Sequence, residues 1–309
     1  MKKRAFLFPG QGAQIVGMGK DFFEKYEEAK EIYEKASEIA KVDIAKLCFN
    51  SEEEVLNKTE NTQLAILTTS LAILEVVKKN EITADICAGL SLGEYTALIY
   101  SGMLNFEDGI RLIQKRGLYM GTLLPKENYS MAAVIGLESN KIEEICQEIR
   151  KNGDFVVPAN YNYSAQTAIS GEEKAVEVAM EKLKEAGAKK VIKLKTSGPF
   201  HTEKLSKAKE EYEKELEKVS FKKGNIPVIK NIDGKIYKED DNIRNILANH
   251  IVCPVRFDKT IKTMSDYNIE EYIEIGPGKV LTGFVKKENR EANTFSISKV
   301  EDLENYLSM

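Results

Sequence analysis

Short apolar runs alternate with longer, charge-rich segments through the first part of the chain, and this alternation limits the fold more than any other feature. Ala5–Phe8 and Asp85–Gly89 have the length and composition of buried strands. Asp21–Ile39 and Leu64–Lys79 have the length of helices, and a further helix is expected from Gly93. Strands that alternate with helices predict an α/β fold, in which crossover helices cover a parallel sheet.

The pattern changes between residues 125 and 197, where strands and helices follow in the order βαββαβ. The predicted elements are strands at Met131–Leu137, Phe155–Tyr161, Gln166–Ser170 and Lys190–Lys195, and helices at Asn140–Lys151 and Glu172–Ala186. That order is typical of a ferredoxin-like unit. We therefore expect a small ferredoxin-like domain at 125–197, inserted into a large α/β-hydrolase-like domain with a parallel sheet (1–124 and 198–309), which resumes with a helix at Glu203–Val219.

The charge balance and the few histidines and cysteines exclude several kinds of site. The 49 acidic and 45 basic side chains give a formal charge of −4 spread along 309 residues. Nucleic acid binding needs a concentrated basic surface, so no nucleic acid partner is expected. Two histidines and four scattered cysteines without a CxxC pair lack metal-ligand spacing, so we expect no metal or redox cofactor.

The apolar segments predict a cytoplasmic protein that does not interact with membranes. The run Ala5–Phe8 is too short for the core of a secretory signal. The longest apolar stretch, Leu64–Val77, is interrupted by polar residues and falls short of the roughly 18 apolar residues that a membrane helix needs. The scattered cysteines fit a reducing compartment.

The most informative motif is the GxSxG sequence of residues 89–93, which lies between a predicted strand and a predicted helix. A serine on such a tight turn exposes its hydroxyl, and the N–H of the following residue, Leu92, points into the same space. Ser91 is therefore a candidate nucleophile. GxSxG followed by a histidine also describes serine hydrolases and thioesterases, which usually add an Asp or Glu to the pair.

A serine nucleophile needs a base, and the chain offers two imidazoles. His201 follows a Gly-Pro pair at the predicted seam between the domains, where a cleft is expected. His250 follows a predicted helix at Asp241–Asn249 and is the second choice. The Gly-rich loop after the first strand lies at the carboxyl edge of the sheet, where Gln11 could donate to an oxyanion.

Several motifs in the same order resemble malonyl-CoA:acyl carrier protein transacylases of bacterial fatty acid synthesis, over essentially the whole chain. The matching stretches are 8–12 (FPGQG), 89–95 (GLSLGEY), 114–117 (QKRG), 131–137 (MAAVIGL), 198–201 (GPFH) and 275–281 (IGPGKVL). The resemblance implies transfer of malonyl from malonyl-CoA to the phosphopantetheine thiol of holo acyl carrier protein, an acidic and transient partner, through a malonyl-serine.

The resemblance also implies roles for individual residues. Ser91 is the nucleophile and His201 its base, and the backbone N–H groups of Gln11 and Leu92 form the oxyanion hole. Arg116 binds the free carboxylate of malonyl, which a guanidinium can grip with two parallel hydrogen bonds. Supporting roles are expected for Asn160, on a cleft-facing strand, for Gln63, and for Phe200, whose bulk would crowd an α-methyl branch; His250 is considered next.

The chain departs from the family pattern at three positions, one of which is Leu64, where a proline commonly follows the glutamine at Gln63. His250 stands where many members have glutamine, and family members orient the base through a backbone carbonyl at this point. Leu90 stands where GHSxG members carry histidine. A non-catalytic docking module remains the other alternative, with the lysines at 189, 190, 193 and 195 as a basic face for an acidic partner.

Overall fold

The computed structural model describes residues 2–125, 128–194, 196 and 198–309, and it contains two sheets. The strands are β1 (Arg4–Phe8), β2 (Ile86–Gly89), β3 (Tyr129–Ile135), β4 (Val156–Tyr163), β5 (Gln166–Glu172), β6 (Lys190–Lys193), β7 (Val255–Arg256), β8 (Glu271–Ile275) and β9 (Asn293–Ile297). The first seven helices are α1 (Lys20–Lys25), α2 (Glu27–Ala40), α3 (Ile44–Asn50), α4 (Glu53–Leu56), α5 (Thr59–Lys79), α6 (Gly93–Tyr100) and α7 (Phe106–Thr122). The others are α8 (Ser139–Lys151), α9 (Glu173–Glu185), α10 (Ser206–Leu216), α11 (Ile243–Asn249), α12 (Phe257–Asp266), α13 (Val280–Glu288) and α14 (Val300–Leu307), with a 3₁₀ turn at Glu203–Leu205.

The first sheet is parallel and has the order β2-β1-β8-β9. Every residue of β2 is buried, and so are the last four of β1, which explains why both strands read as continuous apolar runs. The carboxyl ends of β1 and β2 lie side by side, because the N–H of Leu90 donates to the carbonyl of Phe8 over 3.0 Å. The loop at 9–14 and the GxSxG turn therefore share one edge of the sheet.

The second sheet has the order β6-β3-β5-β4-β7. Its first four strands follow the ferredoxin-like arrangement, with antiparallel pairs and with α8 and α9 packed against them. The fifth strand, β7, pairs in parallel with β4 and comes from the 198–309 part of the chain. The two parts thus share a sheet edge, and the division at 125–197 stays a prediction; Ser197 and the strand end predicted at Lys195 lie outside the described residues.

Three predicted helices differ from the structure by more than two residues. The one expected at Leu64–Lys79 begins five residues earlier, at Thr59. The single helix expected at Asp21–Ile39 is interrupted at Tyr26, whose backbone is extended and whose N–H caps the carbonyl of Phe22. The helix expected at Glu203–Val219 begins as a 3₁₀ turn and ends at Leu216. Arg244 caps this end, since its guanidinium donates to the carbonyls of Leu216 and Val219 over 3.0 and 2.7 Å.

Candidate active site

Ser91 lies at the top of a strained turn between β2 and α6. Its φ is 53°, in the left-handed region that costs a non-glycine residue about 1–2 kcal/mol. The turn is tight enough that a Cβ on Gly89 would lie 1.9 Å from the carbonyl carbon of Gly93. The glycines of the motif are therefore required by close backbone approach, and the turn exposes the serine hydroxyl.

The hydroxyl of Ser91 lies beside the imidazole of His201, with Oγ and Nε2 2.9 Å apart. The other ring nitrogen, Nδ1, is 2.9 Å from the main-chain carbonyl of His250, an acceptor only. Nδ1 must therefore carry the proton, and Nε2 is left to accept from Ser91. Burial, reinforced by the charge of Arg116, lowers the pKa of His201 to about 3, so the ring is neutral near pH 7.

Arg116, on α7, is fully buried behind the serine. Its Nη1 donates to Oε1 of Gln63 over 2.7 Å, and its Nη2 donates to Oγ of Ser91 over 3.1 Å. Its Nε has no hydrogen-bond partner within the described part of the chain. The ring of Tyr95 lies 5.7 Å from the guanidinium carbon. Arg116 is thus a buried cation with an N–H donor that is unused among the described residues, and it contacts the hydroxyl to which an acyl group would be attached.

The candidate oxyanion donors, the backbone N–H groups of Leu92 and Gln11, belong to the nucleophile turn and to the loop after β1. Leu92 is the N-cap of α6, so its N–H precedes the first intrahelical hydrogen bond and lies at the positive end of the helix. The N–H of Ser91 is engaged by Oδ1 of Asn231 at 2.7 Å and is not available to a ligand. Gln11 lies on the loop after β1, and its side chain contacts Thr59 at 3.5 Å.

A cavity of about 700 Å³ opens in front of Ser91 and His201. The structure brings most of the residues singled out from sequence to its wall: Gln11, Gln63, Ser91, Asn160, Phe200 and His201. Arg116 and Leu92 do not line the cavity; both are fully buried, and Arg116 reaches Oγ of Ser91 from behind. The cavity lies between the carboxyl edge of the parallel sheet and strands β3, β4 and β5 of the second sheet, so both parts of the chain form its walls.

The side chain of His250 does not line the cavity. Its ring is stacked on that of His201, with centroids 5.2 Å apart, and its Nδ1 lies 3.3 Å from a carboxylate oxygen of Glu94. Glu94 is fully buried and accepts from the hydroxyl of Tyr237 over 2.6 Å. Burial raises the pKa of Glu94 to about 7 and holds the pKa of His250 well below its usual value.

Sequence reasoning did not single out Asn231 or Glu94. Asn231 belongs to no motif that predicts chemistry, and it meets the GxSxG turn only through the fold. Glu94 stands inside the matched stretch of residues 89–95, and the signal that could have found it is an acidic residue on an otherwise apolar helix. Both side chains are fully buried and hydrogen-bonded.

Comparison with known proteins gives matches along the whole chain. A family model described as "Acyl transferase domain" matches residues 5–304. The "Malonyl CoA-acyl carrier protein transacylase" of Bacillus subtilis (strain 168) is 40% identical over 304 residues, which are 98% of this chain and 96% of that protein. The chain belongs to the acyl transferase family. The resemblance predicted from its motifs is thereby confirmed.

Solved structures of acyl transferases share the fold. The malonyl CoA-acyl carrier protein transacylase from Clostridium perfringens has 45% identity and a TM-score of 0.95, covering 99% of this chain and 96% of that one. A malonyl-transacylase in complex with a type II PKS acyl-carrier protein has 34% identity and a TM-score of 0.95, covering 99% of both chains. The predicted mixed α/β fold, with a parallel sheet and a separate second sheet, is confirmed.

Two contacts in the structure agree with membership of the acyl transferase family and not with the serine hydrolase or the non-catalytic docking module. A hydrolase triad would place an Asp or Glu at Nδ1 of His201, whereas the hydrogen bond there goes to a main-chain carbonyl. The basic face of the docking alternative is partly neutralised, since Lys193 pairs with Glu173 at 2.7 Å and Glu177 at 3.2 Å. Lys195 lies outside the described residues.

The described residues contain no group of three or more His, Cys, Asp or Glu side chains placed to share a metal ion. None of the helices within them combines the length and the apolar composition that a membrane span requires.

Proposed function

We propose that this acyl transferase moves malonyl from malonyl-CoA to the phosphopantetheine thiol of acyl carrier protein, for fatty acid synthesis. The relatives named for that reaction support it, and so does the solved complex of a related malonyl-transacylase with an acyl-carrier protein. The single observation that carries the acyl specificity is the buried guanidinium of Arg116 beside Oγ of Ser91.

Arg116 selects an acyl group with a free carboxylate. Burying a cation without an anionic partner is unfavourable, and the structure leaves Nε of Arg116 unpaired among the described residues. A malonyl group attached to Ser91 carries its carboxylate into this region and can accept charge-assisted hydrogen bonds from the guanidinium. An acetyl group offers only a methyl in the same place, so it gains nothing from the cation.

In the first half-reaction, His201 removes the proton of Ser91 through Nε2 as Oγ attacks the thioester carbon. The N–H groups of Leu92 and Gln11 hold the resulting oxyanion. The C–S bond then breaks, the proton on His201 passes to the departing CoA sulfur, and malonyl-Ser91 remains. The neutral state of His201, with its pKa lowered to about 3, suits it to begin as a base.

In the second half-reaction, the thiol of the carrier protein attacks the ester. His201 takes the thiol proton, the new C–S bond forms, the bond to Oγ breaks, and the proton returns to Ser91. Every step is a proton or acyl transfer, so the proposed reaction needs no metal or redox cofactor. We place it in the cytoplasm, because a reducing compartment suits the four cysteines, which are all free thiols.

Arg116→Ala tests the acyl specificity, with Arg111→Ala as the matched control. Arg111 lies on the same helix, but it is exposed and pairs with Glu107. Losing charge-assisted hydrogen bonds to a buried carboxylate predicts a drop in malonyl transfer of about 10- to 100-fold, with acetyl transfer little changed. The measurement is the initial rate of transfer to carrier protein from malonyl-CoA and from acetyl-CoA.

The outcomes separate the roles of Arg116 and of the enzyme. Equal losses for malonyl and acetyl would contradict carboxylate recognition, and an equal loss in Arg111→Ala would indicate a general effect of charge on α7. Free malonate released without any carrier protein, at the rate of malonyl transfer, would identify a hydrolase instead.

A further inference from the structure

Asn231 reaches the nucleophile turn from a point 140 residues further along the chain. Its side chain is fully buried and bridges the two sides of the turn. Oδ1 accepts from the N–H of Ser91 over 2.7 Å, and Nδ2 donates to the carbonyl of Gly89 over 2.7 Å. A carboxamide carries an acceptor and a donor on one carbon, which are the two groups that the N–H of Ser91 and the carbonyl of Gly89 require.

The register of a short extended segment places Asn231 there. Residues 227–229 run beside β2, where the N–H of Cys87 donates to the carbonyl of Pro227 and the N–H of Ile229 donates to the carbonyl of Cys87, over 2.9 and 3.1 Å. Cys87 and Val228 form a parallel bridge. Three residues beyond that bridge, the strand that contains Cys87 has entered the nucleophile turn at Leu90, and the segment that contains Val228 has reached Asn231.

The backbone of Asn231 is held as firmly as its side chain. Its N–H donates to a carboxylate oxygen of Glu94 over 3.1 Å, and its carbonyl accepts from the N–H of Arg256 over 2.7 Å. All four polar groups of the residue are therefore satisfied in a buried position. A group fixed in this way can hold another in a strained conformation.

We propose that Asn231 is the positioning residue of the nucleophile, which holds Ser91 in its left-handed conformation with Oγ directed at His201. By engaging the N–H of Ser91, it also leaves Leu92 as the donor of this turn to the thioester oxygen. The inference rests on the proposed function for its reaction, but the placement of Ser91 is independent of the acyl donor.

The test measures the reaction of Ser91 in two ways: acylation by malonyl-CoA, and phosphonylation by a fluorophosphonate. In the second, Oγ displaces fluoride from phosphorus without needing Arg116. Asn231→Ala is expected to slow both reactions by about 100-fold, since displacing a reacting atom by about 1 Å costs that much. KM for malonyl-CoA should be unchanged, because Asn231 does not line the cavity. Asn231→Asp keeps the size and the acceptor for Ser91, but its carboxylate places a second oxygen against the carbonyl of Gly89. It should be slowed as well, and it provides the test if Asn231→Ala fails to fold.

Tyr237→Phe is the matched control. It removes a buried hydrogen bond to Glu94 in the same region but leaves both carboxamide contacts intact. Its thermal stability should fall while the rates of acylation and of phosphonylation stay near those of the wild type. A folded Asn231 variant that reacts at the wild-type rate, a loss confined to KM, or an equal loss in Tyr237→Phe would overturn the inference. Wild-type protein that reacts with the fluorophosphonate but not with malonyl-CoA would instead contradict the proposed function.

Discussion

At the residue scale, the site contains two stacked imidazoles, and of these the ring of His201 is the one that contacts Ser91. His250 contributes its main-chain carbonyl to Nδ1 of His201, whereas its own ring is turned toward Glu94. We expect His201→Ala to slow acylation of Ser91 by about 10²- to 10⁴-fold, the usual worth of a general base. His250→Gln should keep transfer near the wild-type rate, because the carbonyl remains. Burst kinetics with malonyl-CoA measure both variants, and a comparable loss in His250→Gln would assign a role to its ring.

The sequence predicts some of these residues and not others, for physical reasons. Ser91 could be predicted because its turn needs glycines at fixed positions, and His201 because the chain has few imidazoles. Asn231 could not, since its contact with the turn depends on the register of a segment with no strong strand pattern. The same holds for the ring contact of His250 with Glu94, which only the packing of α6 brings about.

At the scale of elements, the position of Arg116 depends on how closely α7 approaches α5. Gly117 makes that approach possible, because a Cβ there would lie 2.9 Å from the Cα of Glu60. Gly117→Ala should therefore push the helices apart and lower malonyl transfer through Arg116. Gly283→Ala is the control, since Gly283 lies in α13 with open space around it and should gain about 0.5–1 kcal/mol in stability. Transfer rates and urea unfolding measure both, and an active Gly117→Ala would contradict this dependence.

The elements that sequence predicted least well are those determined by distant contacts. The strands and helices of the βαββαβ unit follow from local apolar periodicity. The end of α10 does not, since the carbonyl of Leu216 accepts from Arg244, 28 residues further along the chain. The extended backbone at Tyr26 is likewise absent from the local apolar pattern. The short strand β7 forms only because β4 offers it an edge.

At the scale of the whole molecule, buried titratable groups make stability depend on pH. His201 has a folded pKa of about 3 and His250 one well below 6.5, so the unfolded chain alone gains these protons as pH falls below 6.5, and stability is lost. Glu94, with its pKa raised to about 7, has the opposite effect between pH 4.5 and 7. There the folded chain holds a proton that the unfolded chain has lost, so stability rises as pH falls. The two histidines together lower the free energy of unfolding more, as pH falls, than the one carboxyl raises it. His250→Gln should therefore lose less stability than the wild type between pH 6.5 and 5, because one of the buried neutral imidazoles is removed. Urea unfolding at both pH values measures it, and parallel losses in the two proteins would contradict it.

The central claim is that malonyl resides on Ser91 between the two half-reactions. Intact-protein mass spectrometry after mixing with malonyl-CoA tests it most directly. We predict one malonyl group on the wild-type chain, located at Ser91 by peptide mapping, stable until holo acyl carrier protein is added and then transferred to its thiol. Ser91→Ala should carry no label. A label that persists in Ser91→Ala, or one that leaves for water before the carrier protein arrives, would contradict the account.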